Sequence, residues 1–207
     1  LIDFGFTCKL PVTFNGQYFD VRDIRNYAKL FFSEEDCENS LIHYEWNTKD
    51  NVLPESLKKL KGKELSKTIA DCKTLDSIPV VEICILDTPD NASCYSFVNG
   101  LMTMEGGVHV DEAYEKIFHP ILEMINNPKK IVDGKKKGKK EEKTEKKIKL
   151  TLKDLKPHVS MIINCRLPNP HHDSQSKKKL TSPRPKITID DNMMKSIQKW
   201  ELIDRLE

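Results

Sequence analysis

Two strand-like runs with a long amphipathic stretch between them limit the folds open to this chain. Residues 94–99 and 158–166 are rich in apolar residues, and residues 108–127 repeat apolar side chains at helical spacing. Strand, long helix and strand predict a βαβ crossover, which is right-handed in nearly all proteins. Further strands at 41–46 and 79–86 complete an expected α/β (α+β) fold with a mixed sheet of about four strands. The helix face comprises Val110, Ala113, Tyr114, Ile117, Phe118, Ile121, Leu122 and Ile125.

The two ends of the chain predict smaller units. Asn15-Gly16 predicts a tight turn in a hairpin over residues 8–21, and a helix from about Val21, capped by Asp20, follows it. The acidic run 33–36 is interpreted as the end of this unit. Near the C-terminus we predict a short strand at 186–189 and helices over 190–207.

Charge is concentrated in one segment. Residues 129–149 hold eleven lysines and four acidic residues, a net charge of +7, whereas the whole chain carries only +2. Such a segment buries too little apolar surface to offset its ordering entropy, so we expect a mobile loop over 128–149. It is either a solubilising insertion or a tether for phosphate backbones, and composition alone leaves both open.

Several classes of protein and site are not supported. The six cysteines show no C-x-x-C spacing, which disfavours a zinc site and favours reduced, buried thiols of an intracellular protein. The adjacent His171 and His172 do not predict a metal site. No apolar run approaches the length of a membrane span. The chain lacks an initiator Met and a signal-peptide pattern, which suggests a fragment of a longer protein.

Three segments, in this order, resemble one family. They are residues 96–100 (SFVNG) followed by 106–111 (GGVHVD), residues 158–166 leading into 167–170 (LPNP), and residues 173–177 (DSQSK). Together they resemble the transducer domain of type IIA DNA topoisomerases, in the eukaryotic or large-virus branch. The hairpin and helix before residue 34 are similar to the tail of the GHKL ATPase domain that precedes a transducer.

The resemblance implies two domains and a ribosomal-protein-like transducer fold. Residues 1–34 would be the GHKL tail and residues 35–207 the transducer. ATP and Mg²⁺ would be bound mainly by the GHKL domain of the same chain. The full-length enzyme would be a homodimeric isomerase, located in the nucleus, or in the viral factory or virion if viral. The fragment alone would be inactive.

The resemblance also implies the nucleotide contacts. Gln175, Ser176 and Lys177 match a loop that reaches the ATP γ-phosphate, with Lys177 stabilising the charge that develops as the phosphoryl bond breaks. Lysine suits this role because its ammonium is a compact point charge on a long stem. Lys178 and Lys179 remain open as the contacting residue.

The resemblance also implies a partner for the lysine segment. In this family, the loop after the long transducer helix touches double-stranded DNA. The corresponding residues here are Lys135, Lys136, Lys137, Lys139 and Lys140. Two other functions stay open: a non-enzymatic nucleic-acid-binding module of ribosomal-protein type, and the second domain of another GHKL ATPase such as a mismatch-repair protein.

The glycine pair at 106–107 allows two interpretations. Backbone at a helix start can cradle phosphate, but a lone Gly-Gly lacks the glycine spacing of nucleotide loops. We predict a structural turn at the start of the helix that packs on the sheet. His109 would then cap or pack rather than catalyse.

Overall fold

A mixed five-stranded sheet organises the chain in the computed structural model, which describes residues 1–46, 59–71, 79–89, 91–126, 149–189 and 191–206. The strand order is β3-β4-β7-β5-β6. Its strands are β3 (Leu41–Glu45), β4 (Val81–Asp87), β5 (Cys94–Val98), β6 (Leu101–Met102) and β7 (Val159–Cys165).

Helices and two hairpins surround this sheet. The helices are α1 (Ile2–Cys8), α2 (Ile24–Ala28), α3 (Glu34–Asn39), α4 (Gly62–Asp71), α5 (Val108–Asn126), α6 (Leu152–Leu155), α7 (Asp191–Ile197) and α8 (Glu201–Leu206). A 3₁₀ turn at Lys156–His158 leads into β7. The hairpins pair β1 (Val12–Phe14) with β2 (Gln17–Phe19), and β8 (His171–His172) with β9 (Leu180–Ser182).

The central strand β7 determines the topology. It pairs antiparallel with β4 and parallel with β5, so the chain from β5 to β7 must cross over the sheet. Helix α5 lies in that connection, which confirms the predicted βαβ unit. The two-residue edge strand β6 brings the sheet to five strands, one more than the sequence predicts.

Side chains of the central strands alternate between two cores. Ile83 and Ile85 of β4 pack with α5, α7 and α8 on one face, whereas Cys84 and Leu86 pack with α1, α2 and α3 on the other. Each such side chain contributes roughly 1.5–3 kcal/mol when fully buried. The sheet is therefore sandwiched between helices, as its nearly continuous apolar composition predicts.

The N-terminal segment packs directly on the sheet. Phe6 stacks on Tyr27 with ring centroids 4.2 Å apart, and both rings meet Phe97 of β5 edge-on. This segment shares one core with the sheet, and the domain division after residue 34 stays a prediction.

Two local predictions are wrong. The first is the cap of α2: Asp20 pairs with Arg22, and Asp23 caps the helix instead by accepting a 2.7 Å hydrogen bond from the Arg25 amide. The acidic run at 33–36 lies at the start of α3, where the Ser33 hydroxyl accepts from the Asp36 amide at 3.1 Å, and the unit boundary placed there stays a prediction.

The second wrong prediction concerns residues 186–189, which form no strand. Ile187 is buried in the core of α5, and the amide of Thr188 donates to the Glu45 carboxylate. This segment is therefore held by a hydrogen bond to the Glu45 side chain and not by pairing with a neighbouring strand. Asp190, the predicted cap of the last helices, lies outside the described residues.

Candidate γ-phosphate loop and its supports

The loop at residues 173–179 connects β8 to β9 and carries Gln175, Ser176 and Lys177. The Asp173 amide donates to the Lys179 carbonyl at 3.1 Å, which closes the neck of the loop. The Lys177 amide donates to the Ser174 carbonyl, also at 3.1 Å, and forms a turn at the tip. Lys177 has φ 55, in the left-handed region that non-glycine residues rarely adopt. The backbone therefore turns sharply at the predicted lysine.

The three predicted side chains lie together on the surface. Gln175, Ser176 and Lys177 are all exposed, and the Ser176 and Ser174 hydroxyls are hydrogen-bonded at 2.8 Å. Within the described ranges, no carboxylate forms an ion pair with the Lys177 ammonium. A cation with no internal partner is available to an external anion.

The neighbouring lysines differ from Lys177 in their backbone contacts. The Lys178 carbonyl accepts from the Glu105 amide at 2.9 Å, which ties this part of the loop to the turn before α5. Lys179 lies on the rim of a cavity of about 450 Å³ at the start of α5, beside Gly106 and Asp111. The exposed tip is therefore at 175–177, and 178–179 form its attachment.

The glycine pair holds this loop against α5. The Leu180 amide donates to the Gly106 carbonyl at 3.0 Å, and Gly107 forms a parallel bridge with Leu180. A Cβ on Gly107, where φ is 132°, would lie 2.2 Å from the Leu180 carbonyl oxygen. The glycines are structural: Gly107 permits the close approach of β9, and the pair carries the loop at the N-terminus of α5.

His109 is a packing group. Its side chain is fully buried, and its Nε2 lies 3.3 Å from the Thr103 hydroxyl, while Nδ1 has no hydrogen-bond partner among the described residues. Burial lowers the pKa of His109 to about 4, with a further small lowering from His172. The ring is therefore neutral at physiological pH.

Sequence reasoning missed a buried charge cluster beside α1. The Lys9 ammonium lies 2.6 Å from the Glu82 carboxylate, and both side chains are at most 3% exposed. It also donates to the Arg22 carbonyl at 2.8 Å and lies 4.7 Å from the centre of the Phe6 ring. Burial lowers the pKa of Lys9, while the Glu82 charge opposes that shift. Lys9 and Glu82 are 73 residues apart in the chain, so no local pattern indicates the pair.

The proposed DNA-contacting lysines, Lys135, Lys136, Lys137, Lys139 and Lys140, lie outside the described residues. The described residues on either side of this segment are hydrogen-bonded to each other. The Asn126 side-chain amide donates to the Leu150 carbonyl at 2.9 Å, and the Leu150 backbone amide donates to the Asn126 side-chain oxygen, also at 2.9 Å. The flanks of the segment therefore meet at the C-terminus of α5.

Neither a metal site nor a membrane span is found within the described ranges. No group of three or more His, Cys, Asp or Glu side chains there could hold a metal ion. None of the helices in those ranges is long and apolar enough to cross a membrane.

The fold matches solved structures of one class. The ATPase region of Saccharomyces cerevisiae topoisomerase II aligns with a TM-score of 0.60 at 19% identity, covering 95% of this chain and 39% of that one. The ATPase and transducer domains of Balamuthia mandrillaris DNA topoisomerase II give 0.61 at 18% identity, covering 99% and 41%. The mixed sheet and its helices thus share the fold of these ATPase and transducer structures.

Sequence comparison gives the family. The family model described as DNA gyrase B matches residues 46–203, which is more than half of the chain. The chain belongs to the DNA gyrase B family. Among its relatives, the DNA topoisomerase 2 of Invertebrate iridescent virus 6 is 32% identical over 132 residues, covering 64% of this chain. The probable DNA topoisomerase 2 of Dictyostelium discoideum is 28% identical over 178 residues, covering 86%. The chain spans 10% and 9% of these relatives' lengths.

Proposed function

We propose that this chain is the transducer segment of an ATP-dependent type IIA DNA topoisomerase, and that its 175–177 loop senses the γ-phosphate of ATP. The full-length enzyme would pass one DNA duplex through a double-strand break in another. Its relatives carry the name DNA topoisomerase 2, which supports this activity. The observation that carries the sensing role is the exposed Lys177, without an ion-pair partner among the described residues, at the tip of a loop fixed to α5.

The chemistry of the loop fits a terminal phosphate. The Lys177 ammonium supplies positive charge, and the exposed Gln175 amide supplies hydrogen-bond donors. When hydrolysis removes the γ-phosphate, both groups lose their partner, so the contact separates the ATP state from the ADP state. That difference in binding free energy would drive movement between the ATPase domain and the transducer.

Magnesium and most of the nucleotide would be held elsewhere in the enzyme. Both would be bound mainly by the GHKL domain, as in the family that the chain resembles. The DNA contact through Lys135, Lys136, Lys137, Lys139 and Lys140, the homodimeric state and the nuclear or viral location belong to the same proposal.

Replacing Lys177 tests the sensing role directly. In the full-length enzyme, Lys177→Met should lower kcat for ATP hydrolysis about 100-fold, because a preorganised charge at the transferred phosphoryl group is lost. Lys178→Met is the matched control and should retain kcat. Steady-state hydrolysis and decatenation assays give the measurement. Wild-type kcat in Lys177→Met would refute the role, and loss in Lys178→Met alone would move it by one residue.

A further inference from the structure

Arg166 lies where the sheet, α1 and the chain leading to the γ-phosphate loop meet. It directly follows β7, and Lys177 lies eleven positions later in the sequence. Its backbone amide donates to the Val80 carbonyl at 2.7 Å, so its main chain still belongs to the sheet. Its side chain is 27% exposed. The residue is therefore a junction between the sheet and the loop's approach segment.

The Arg166 guanidinium contacts three separate parts of the chain. One nitrogen donates to the Pro79 carbonyl at 2.7 Å, before β4. The other donates to the Thr7 carbonyl at 3.1 Å and lies 3.9 Å from the Glu82 carboxylate. The Thr7 carbonyl belongs to the last turn of α1, where helix carbonyls lack an internal partner. A planar, forked donor can hold these groups at once, whereas a lysine ammonium cannot span them in the same way.

The segment after Arg166 is also fixed by hydrogen bonds. The Asn99 side chain makes two hydrogen bonds to Leu167: it accepts from the amide at 2.8 Å and donates to the carbonyl at 2.9 Å. Pro168 and Pro170 then fix their own φ angles, and Asn169 between them adopts φ 45. Strand β8 begins at the next residue. The approach to the loop is thus short and restricted from Arg166 onward.

We propose that Arg166 is a positioning residue, which fixes the γ-phosphate loop relative to the C-terminus of α1. This inference rests on the proposed function, in which α1 belongs to the ATPase side and Lys177 meets the nucleotide. Arg166 does not touch ATP. It sets the distance between the domain that binds the nucleotide and the loop that senses it.

The test is a double-mutant cycle in the full-length enzyme. Arg166→Met should lower kcat for ATP hydrolysis about tenfold and leave KM for ATP unchanged, because a small misplacement of a catalytic group lowers the rate without loss of substrate binding. In a Lys177→Met background, the same change should lower kcat by less than about twofold, because the two residues act as a unit. Arg205→Met is the control: Arg205 pairs with Asp87 at the opposite end of β4, and its loss should leave kcat unchanged.

Arg166→Lys separates positioning from stability. Lysine keeps a positive charge beside Glu82 but cannot hold the Pro79 and Thr7 carbonyls together. The Arg166→Lys variant should therefore stay folded at the assay temperature, as its melting temperature shows, while its kcat stays low and its KM for ATP is unchanged. This variant also carries the test if Arg166→Met does not fold. Wild-type kcat in Arg166→Lys, or a full tenfold loss in the Lys177→Met background, would overturn the proposal. Wild-type kcat in Lys177→Met alone would instead refute the proposed function.

Discussion

At the residue scale, Lys9 and Glu82 show that this fold can bury an ion pair almost completely. The pair survives burial because the Lys9 ammonium has two oxygen partners and Arg166 supplies a second cation near Glu82. One Glu82 oxygen still accepts no hydrogen bond from the described residues. Such a pair holds two distant segments in register and is intolerant of losing one member.

Lys9→Met tests that dependence. We expect it to lower the free energy of unfolding of the chain by about 3–5 kcal/mol, because Glu82 stays buried after losing its nearest cation. The double change Lys9→Met with Glu82→Leu should recover most of the loss. Urea unfolding followed by circular dichroism gives the values. Lys29→Met, which removes an exposed pair with Glu34, is the control and should change little. A small effect of Lys9→Met would show that Glu82 finds water or another partner.

His109 makes stability depend on pH. Its pKa is about 4 in the folded chain and about 6.5 when unfolded. Above pH 6.5 the ring is neutral in both states and the stabilisation is complete. As the pH falls from 6.5 to 4, the unfolded chain gains a proton that the folded chain does not, so stability falls by on the order of 3 kcal/mol.

Urea unfolding at pH 7 and pH 4.5 measures this dependence. His109→Gln should flatten the pH slope even if it lowers stability at pH 7. His119→Gln, at an exposed position of the same helix, should leave the slope as in wild type. An unchanged slope in His109→Gln would mean that other groups carry the acid sensitivity.

At the scale of elements, the contact between β9 and the start of α5 determines where the loop lies. Gly107→Ala should disrupt it, because the new Cβ would meet the Leu180 backbone and the residue would keep a strained φ of 132. We expect a loss of about 2–4 kcal/mol in unfolding free energy, with faster hydrogen exchange at the Leu180 amide.

Gly100→Ala is the matched control for that change. It also has a positive φ, of 84, but its Cβ would have no neighbour closer than 3.7 Å. It should cost only about 1 kcal/mol and leave the Leu180 amide protected. Equal effects at the two glycines would show that backbone strain, rather than the contact with β9, is responsible.

Elements with a continuous local pattern can be predicted from the sequence. Helix α5 is predicted at 108–127 and observed at Val108–Asn126, and β7 lies one residue inside its predicted limits at each end. Helix α3 is missed because its acidic first turn gives no apolar pattern and the Ser33 cap is not recognised. Helix α1 and strands β6, β8 and β9 are missed, since such short elements depend on partners far away in the chain.

The candidate site, like the fold, can be predicted only in part from the sequence. The 175–177 loop follows from the resemblance of a local string to a family, and the structure places it on an exposed turn. Its supports could not be predicted, because Gly107 and Leu180 are distant in sequence and meet only in the folded chain. The same holds for Arg166 and the Thr7 carbonyl, which are separated by 159 residues.

At the scale of the whole molecule, the attachment of the γ-phosphate loop and the described flanks of the lysine segment lie at opposite ends of α5. The γ-phosphate loop is attached at its start, and the Asn126–Leu150 hydrogen bonds lie at its end. A helix of 19 residues is about 28 Å long. The length of one helix therefore separates the attachment of the γ-phosphate loop from the described flanks of the lysine segment.

Changing the five proposed DNA-contacting lysines to glutamine tests this separation in the full-length enzyme. Basal ATP hydrolysis should persist and its stimulation by DNA should be lost. The salt slope of DNA binding should fall by up to about 4, because each phosphate contact contributes about 0.9. The control changes five exposed lysines elsewhere and should retain stimulation: Lys116, Lys153, Lys186, Lys195 and Lys199. Loss of basal hydrolysis, or unchanged stimulation, would contradict the proposed role.

The position of β7 in the middle of the sheet has a consequence for biosynthesis. Strand β4 is complete at Asp87, but its partner β7 is complete only at Cys165, 78 residues later. At 5–20 residues per second, a ribosome needs roughly 4–16 s to make that stretch. During this interval β4 and β5 lack the strand that pairs with both of them in the folded chain. The nascent chain is therefore most prone to aggregation, and most dependent on chaperones, just before its last quarter emerges.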